Sequence, residues 1–150
     1  MPLSNLPRLA RAFTRMPTHE RRLFIRALAF AWLVRVAIWI VPFAKLYRVP
    51  ALIQRSTVSP AGMARSSTEI ARAVERASRF TPRASCLVRA LTAQVLLARA
   101  GHSSSLRIGV GRNESGEFGA HAWLENSTGI IIGGGAPLGY MPLPNLDSSP

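Results

Sequence analysis

Cysteine is nearly absent from this 150-residue chain, which has only Cys86. An internal disulfide is therefore excluded, and a lone thiol fits a reducing compartment such as the cytoplasm. One cysteine and three scattered histidines match no zinc-binding spacing. The glycines at 133–135 follow an apolar run but lack the Lys-Ser/Thr or helix of a phosphate loop. We therefore expect no metal and no other cofactor.

Acidic residues are also scarce: there are 7 Asp and Glu against 19 Lys and Arg, which gives a net charge of +12. All the basic residues except Lys45 are arginines. Such an excess suits an acidic partner, which could be nucleic acid, an anionic membrane surface or an acidic peptide. An arginine-rich genomic composition would explain the same excess, and nothing in the sequence indicates binding of a specific nucleic acid.

Residues 20–48 form the most apolar stretch and are predicted to be a helix that Pro42 ends or kinks. Arg26 and Arg35 interrupt the run, which argues against a secretory signal. An arginine at the centre of a membrane span costs about 2.5–3.5 kcal/mol. We therefore expect this helix to pack on its own domain or on a partner, with peripheral membrane contact as the alternative.

The polar segment 56–67, "STVSPAGMARSS", is the predicted domain boundary. It separates a basic, hydrophobic helical region at 1–55 from a second domain at 56–150. A helix is predicted directly after it, with Ser66 or Ser67 as the N-cap and Glu69 in the first turn.

The next helix ends at Gly101, where a C-terminal cap belongs, and begins between Thr81 and Ser85. Cys86 therefore falls in or near its first turn. Residues 105–112, 118–125 and 130–134 read as three strands separated by the turns "RNESGE" and "NSTG", and the proline-rich tail reads as irregular. Helices followed by an antiparallel meander predict an α+β fold.

Cys86 and His121 are the residues that could carry chemistry. Unpaired N–H groups at a helix start favour a thiolate and can receive an oxyanion, and cysteine catalysis also needs a nearby imidazole. Neither signal is specific alone, because a lone cysteine is usually a small buried apolar residue and a lone histidine is usually a core residue. Trp123, on the same strand face as His121, is a candidate wall of the site or a plain core residue.

The run "CLVRALTAQVLLARAGHSSSLRIGVGR", then "FGAHAWLE" and "GIIIGG", resembles the transglutaminase-like cysteine peptidases of lasso-peptide biosynthesis. Within that group it is most similar to the leader peptidase, the protease half of the B protein. The resemblance covers about residues 66–135 and rests on Cys86, Leu87, Arg89, Ala90, the Ala-His-Ala-Trp around His121, and Glu125.

This resemblance implies a papain/transglutaminase-like core in which the nucleophile helix packs on a small antiparallel sheet. It implies a cysteine peptidase that cuts the leader from a precursor peptide, with Cys86 and His121 as the catalytic residues. The implied partners are the precursor, a separate leader-recognition protein and a macrolactam-forming cyclase. The implied location is the cytoplasm.

The family normally supplies an acid on the strand after the histidine, and here that position holds glycine. If Glu125 pairs with Ile130 across "NSTG", His121 lies opposite Gly134, and slips of one give Gly133 or Gly135. Glu125 and Asp147 are weak substitutes, since Glu125 lies about 13 Å along the strand from His121. A backbone carbonyl, a water or the leader-binding partner could orient the imidazole instead.

Two other functions stay open from the sequence. One keeps the fold and changes the reaction to acyl transfer, as in other transglutaminase-like proteins. The other is a basic protein that catalyses no reaction and binds a membrane or nucleic acid. A degenerate peptidase, which has the fold without the activity, is a related alternative.

Overall fold

The computed structural model describes residues 16–42, 65–82, 85–112, 116–134 and 140–143. Its first helix, α1, spans Thr18–Ile40. Pro42 ends it as predicted, because a proline forces the residue before it into an extended conformation. Val41 is in that conformation, with φ −108° and ψ 130°.

The second helix, α2, spans Ser67–Ser78 and begins with a capping box. The Ser66 hydroxyl accepts a hydrogen bond from the Glu69 N–H, and the Glu69 carboxylate accepts one from the Ser66 N–H, both at 3.2 Å. This reciprocal pair satisfies two N–H groups that the helix itself leaves open. The predicted start of the helix is confirmed, with Ser66 as the cap.

The third helix, α3, spans Cys86–Arg99 and starts after Ser85, whose hydroxyl accepts from the Val88 N–H at 3.4 Å. It ends where predicted, at Gly101, which has a φ of +82°. The His102 N–H donates to the Leu97 carbonyl at 2.9 Å, which closes the helix in a Schellman motif. Cys86 is therefore the first residue of α3.

Four antiparallel strands form one sheet in the order β3-β2-β1-β4: β1 Ser105–Arg112, β2 Phe118–Asn126, β3 Gly129–Ile132 and β4 Met141–Pro142. The predicted pairing of Glu125 with Ile130 is confirmed. A bulge then shifts the register, so that Leu124 lies opposite Ile132. Strand β4 was not predicted, because the tail read as irregular; it pairs with β1 at Gly109 and Val110.

The hydrophobic core lies between the three helices and one face of the sheet. α3 packs on β2, and α1 packs on α2 and α3 through Leu23, Ala27 and Val34. The predicted α+β fold, with the cysteine helix packed on a small antiparallel sheet, is confirmed. The predicted boundary between residues 55 and 56 lies outside the described residues, so that division stays a prediction.

The side of α1 turned away from the core is apolar too. Its exposed large side chains are Ile25, Trp32, Leu33, Val36, Trp39 and Ile40. The helix is long and apolar enough to cross a membrane, with a mean hydropathy of 2.0 over an 18-residue window of which 22% is buried. The core helix of a soluble protein, or a signal sequence near the N-terminus, has the same length and composition.

Candidate active site

Cys86 stands at the helix start, where an attacking thiol would have backbone donors beside it. It is partly exposed, and its inner side packs against the core. Of the first N–H groups of α3, that of Val88 is bound by Ser85. Among the described residues, the N–H groups of Cys86 and Leu87 have no acceptor. These two groups can stabilise negative charge that develops next to the sulfur.

Arg89 adds a positive charge near the same end of α3. It lies three residues after Cys86 and therefore on the same side of the helix. Its Nη1 is 3.6 Å from the Glu75 carboxylate, and its buried Nε has no hydrogen-bond partner among the described residues. The start of α3 therefore has a guanidinium, paired with Glu75, near the two N–H groups that find no acceptor among the described residues.

His121 lies on β2, opposite Gly109 of β1, and is partly buried. Its Nε2 is 2.7 Å from the carbonyl oxygen of Gly133. A carbonyl can only accept, so Nε2 carries the proton in this bond, and Nδ1 of the neutral ring is left as the base. A backbone carbonyl, one of the groups considered from the sequence, thus orients the imidazole.

The position of this carbonyl depends on glycine. Gly133 has a φ of +105°, and a Cβ placed there would lie 2.7 Å from the Trp123 Cβ and 2.8 Å from its Cα. No acidic side chain fits at 133 without moving that backbone. Gly134 is exposed with a φ of +45°, and Gly135 lies outside the described residues. The glycine run therefore supplies a backbone carbonyl oxygen to the His121 ring, in place of a carboxylate.

Two aromatic rings flank His121. Trp123 lies nearly parallel to it, with centroids 6.2 Å apart and planes at 19°, and Tyr140 meets it edge-on, also at 6.2 Å. Neighbouring glycines make room for both rings: a Cβ at Gly119 would lie 2.8 Å from the Tyr140 hydroxyl, and one at Gly109 would lie 3.0 Å from the Trp123 ring. Tyr140 was missed from the sequence, where nothing in an irregular tail marked it.

Glu125 is bound by other groups on the same sheet face. Its carboxylate accepts from Arg107 Nε at 2.6 Å and from the Trp123 indole N–H at 3.2 Å. The Arg107 hydrogen bond holds the pKa of Glu125 below its ordinary value of 4.5, despite some burial. Glu125 therefore fixes the ring that stacks on His121. Asp147, the other candidate third member, lies outside the described residues.

The faces of β2 decide where His121 points. Ala122 and Leu124 belong to the core against the helices, so strand alternation places His121 and Trp123 on the opposite face. Within the described part of the chain, no hydrogen bond joins His121 to Cys86. The Cys86–His121 pair stays a prediction.

The lengths of the connecting elements allow both residues to lie toward the same end of the domain. A short connection, residues 100–104, leads from α3 into β1, and α3 packs on β1 and β2, so β1 returns along the helix. Cys86 is about 20 Å from that connection along α3. His121 pairs with Gly109, which is about 13 Å from the same connection along β1. The pairing of β2 with β3 runs from Asn126 to Leu124, so no β3 residue pairs with His121.

The other histidines have no part in this arrangement. The His102 ring nitrogen Nε2 is 2.6 Å from the Arg65 carbonyl, which ties the end of α3 to the start of α2. In the ranges that the structure covers, no three His, Cys, Asp or Glu side chains form a group that could hold a metal ion.

A profile of the transglutaminase-like superfamily matches residues 26–143, from α1 to the end of the sheet. The chain belongs to this superfamily. Its members are typically cysteine-dependent enzymes, among them peptidases and acyltransferases. Neither the curated proteins nor the solved structures that were compared gave a significant match. The matched span includes α1, which packs on α2 and α3, so the superfamily's pattern extends across the predicted boundary at 55 and 56.

Proposed function

We propose that this protein is a cysteine peptidase that removes the leader from a lasso-peptide precursor. The supporting observation is the bond from His121 Nε2 to the Gly133 carbonyl, which leaves Nδ1 as a base in a superfamily of cysteine-dependent enzymes. The narrower assignment to lasso-peptide maturation rests on the sequence resemblance around Cys86 and His121.

The chemistry proceeds in two halves. His121 Nδ1 takes the proton of the Cys86 thiol, and the sulfur forms a bond to the scissile carbonyl carbon while the N–H groups of Cys86 and Leu87 hold the oxyanion. The C–N bond then breaks as His121 protonates the leaving amine. Water attacks the thioester in the second half, giving a carboxylate and restoring the thiol. This proton transfer needs the His121 ring and the Cys86 sulfur within hydrogen-bond reach, a contact that is often long or poorly aligned in a free enzyme and tightens when the substrate binds.

Incubating the precursor peptide and the leader-recognition protein with either wild type or Cys86→Ala tests this proposal. Mass spectrometry should detect separate leader and core fragments with wild type only. Because alanine is a good helix residue and Cys86 is only partly buried, the variant should keep its fold, which circular dichroism would verify. Equal cleavage by both proteins would remove the proposal.

The proposed partners follow from the same assignment. A separate leader-recognition protein presents the precursor, and a cyclase closes the macrolactam after the cut. Omitting the leader-recognition protein from the reaction should slow cleavage of the full precursor. A rate independent of that protein would contradict this part of the proposal.

Acyl transfer is the second candidate reaction, because the superfamily includes acyltransferases. A primary amine would then replace water in the attack on the thioester. Adding a small amine and weighing the products distinguishes the two reactions: a leader fragment with the amine attached at its new C-terminus indicates transfer, and a leader fragment with a free carboxylate indicates hydrolysis.

We propose a cytoplasmic enzyme that attaches peripherally to membranes through α1, whose exposed surface carries apolar side chains together with Arg22 and Arg26. Apolar and arginine side chains together suit the interface of an anionic bilayer. Trp39→Ser should weaken sedimentation with phosphatidylglycerol vesicles, whereas Phe118→Ser should not, although Trp39 and Phe118 are 76% and 74% exposed. Equal sedimentation of both variants and wild type would argue against this attachment.

A further inference from the structure

Strand β3 has one edge without a partner. It lies at the margin of the sheet, paired to β2 on one side, and no described strand borders its other side. None of the described backbone hydrogen bonds outside helices and strands involves residues 129–132. The strand reads "GIII", with no lysine or proline to protect it, and Ile130 is 49% exposed. Unprotected edges of this kind pair readily with an added strand.

A groove of about 490 Å³ separates this strand from α2. One wall includes Ile130 of β3 and Thr128 of the turn before it. The other wall includes Arg72, Glu75 and Arg76 of α2, and Arg79 at its C-cap. Arg72 and Arg76 are four residues apart and project from one face of α2, and Arg79, the C-cap in a helical conformation, continues that face. An extended chain laid in this groove would have a backbone edge on one side and guanidinium groups on the other.

The charge of the groove selects an acidic occupant. Glu75 lies 3.6 Å from Arg89, and Arg76 lies 3.4 Å from Glu20 of α1. Arg72 and Arg79 form no ion pair with any carboxylate of the described residues. Two guanidinium groups are therefore left to bind carboxylates of a ligand.

We infer that this groove binds an extended, acidic segment of the peptide substrate as a strand added to β3. This inference rests on the proposed peptidase function. The backbone of the segment would bond to the free edge of β3, its carboxylates would meet Arg72 and Arg79, and an apolar side chain would cover Ile130. The groove and the candidate active site are continuous through the chain: β3 ends at Ile132, and the next residue, Gly133, holds the His121 ring.

The experiment uses the full chain with Cys86→Ala, so that binding is measured without turnover. The probe is a fluorescent peptide of about eight residues that alternates glutamate and valine, since alternate residues of a strand share a face. Fluorescence anisotropy should give a dissociation constant that rises about tenfold with Arg72→Ala and Arg79→Ala together. Arg26→Ala, on the exposed side of α1, is the matched control and should leave it unchanged.

Two further measurements test the added strand itself. The same peptide with alternate backbone nitrogens methylated should bind much more weakly, because it cannot pair along an edge. Hydrogen exchange at residues 129–132 should slow when the unmodified peptide binds. Equal binding of the methylated peptide, unchanged exchange in β3, or no effect of the arginine variants would overturn the inference. Binding of this peptide together with no cleavage of the precursor by wild type would instead contradict the proposed function and leave the groove in place.

Discussion

On β2, alternate residues are used for different purposes. Ala122 and Leu124 are buried against the helices at 3% and 0% exposure. On the other face, Trp123 stacks on His121 and donates to Glu125, while the His121 ring reaches the Gly133 carbonyl. The first face thus carries the buried apolar residues of the strand, and the other is a row of rings, polar groups and glycines.

The difference teaches how a small domain combines stability with an oriented imidazole. Because neighbouring strand residues point to opposite faces, the apolar set can be packed without fixing the polar set. The polar face then needs its own supports, which here are an ion pair, a stacked indole and a backbone carbonyl. Variants of the two faces should therefore fail in different ways.

The largest effect is expected for His121→Ala, which removes the proposed base. Cleavage of the precursor should fall about 10²–10⁴-fold, because general acid–base catalysis contributes on that scale. Single-turnover rates would measure the loss, and the midpoint of urea unfolding should change little.

The matched control is His102→Ala, since His102 bonds to the Arg65 carbonyl and lies at the far end of α3. It should leave the cleavage rate unchanged. Loss of activity in both histidine variants, or in neither, would contradict the role assigned to His121.

Leu124→Ala addresses the core face of β2. Leu124 has no exposed surface, so its truncation should lower the free energy of unfolding by about 2–5 kcal/mol. Urea denaturation would measure this, with Phe118→Ala on the same strand, 74% exposed, as the control expected within about 0.5 kcal/mol. Comparable losses for the two variants would contradict the burial assigned to this face.

Gly133→Ala should damage both stability and catalysis. Its φ of +105° and the 2.7 Å approach to the Trp123 Cβ require the backbone to shift, which costs about 1–3 kcal/mol and displaces the carbonyl from His121. Thermal unfolding and cleavage rates would record the two losses.

Gly116→Ala is the control for backbone strain alone, because Gly116 also has a positive φ, +81°, but no atom within 4 Å of its Cβ position. It should lose some stability and keep full activity. Full activity of Gly133→Ala would show that the carbonyl does not orient the ring.

The smallest effect is expected for Glu125→Gln, which removes the charge that meets Arg107. Because the ion pair lowers the pKa of Glu125, its contribution is complete above the ordinary value of 4.5 and is lost as the pH falls through the lowered pKa. The variant should be less stable than wild type at neutral pH by about 1 kcal/mol or less. Unfolding curves recorded between neutral and acidic pH should converge; a constant difference would contradict the assigned direction.

Local signals in the sequence predicted most of the framework. These signals each act over a few residues, so they can be recognised without knowing the fold. They are the capping pair Ser66 and Glu69, the helix-ending Gly101, and the turn that pairs Glu125 with Ile130. The short strand β4 was missed because a Met-Pro dipeptide has no periodicity and exists only through its pairing with β1. The bulge beside Leu124, which changes the register by one, also depends on tertiary packing.

In the candidate site, too, local features could be predicted and features that depend on tertiary packing could not. Cys86 at a helix start and His121 on a strand were predicted from residue type and neighbours. The Gly133 carbonyl was not singled out, since every residue has a carbonyl and only the folded backbone shows which one meets the ring. Tyr140 could not be predicted for the same reason: it meets His121 only because the pairing of β4 brings the tail to the ring.

The central claim is that His121 acts on Cys86, and the thiol itself can report it. Cys86 is the only cysteine of the chain, so the rate of alkylation by iodoacetamide belongs to that sulfur alone. We predict that wild type is alkylated faster than His121→Ala at the same pH, because an imidazole beside the thiol promotes its nucleophilic thiolate form. Superimposable pH–rate profiles for the two proteins would show that ring and sulfur do not meet, and would contradict the account.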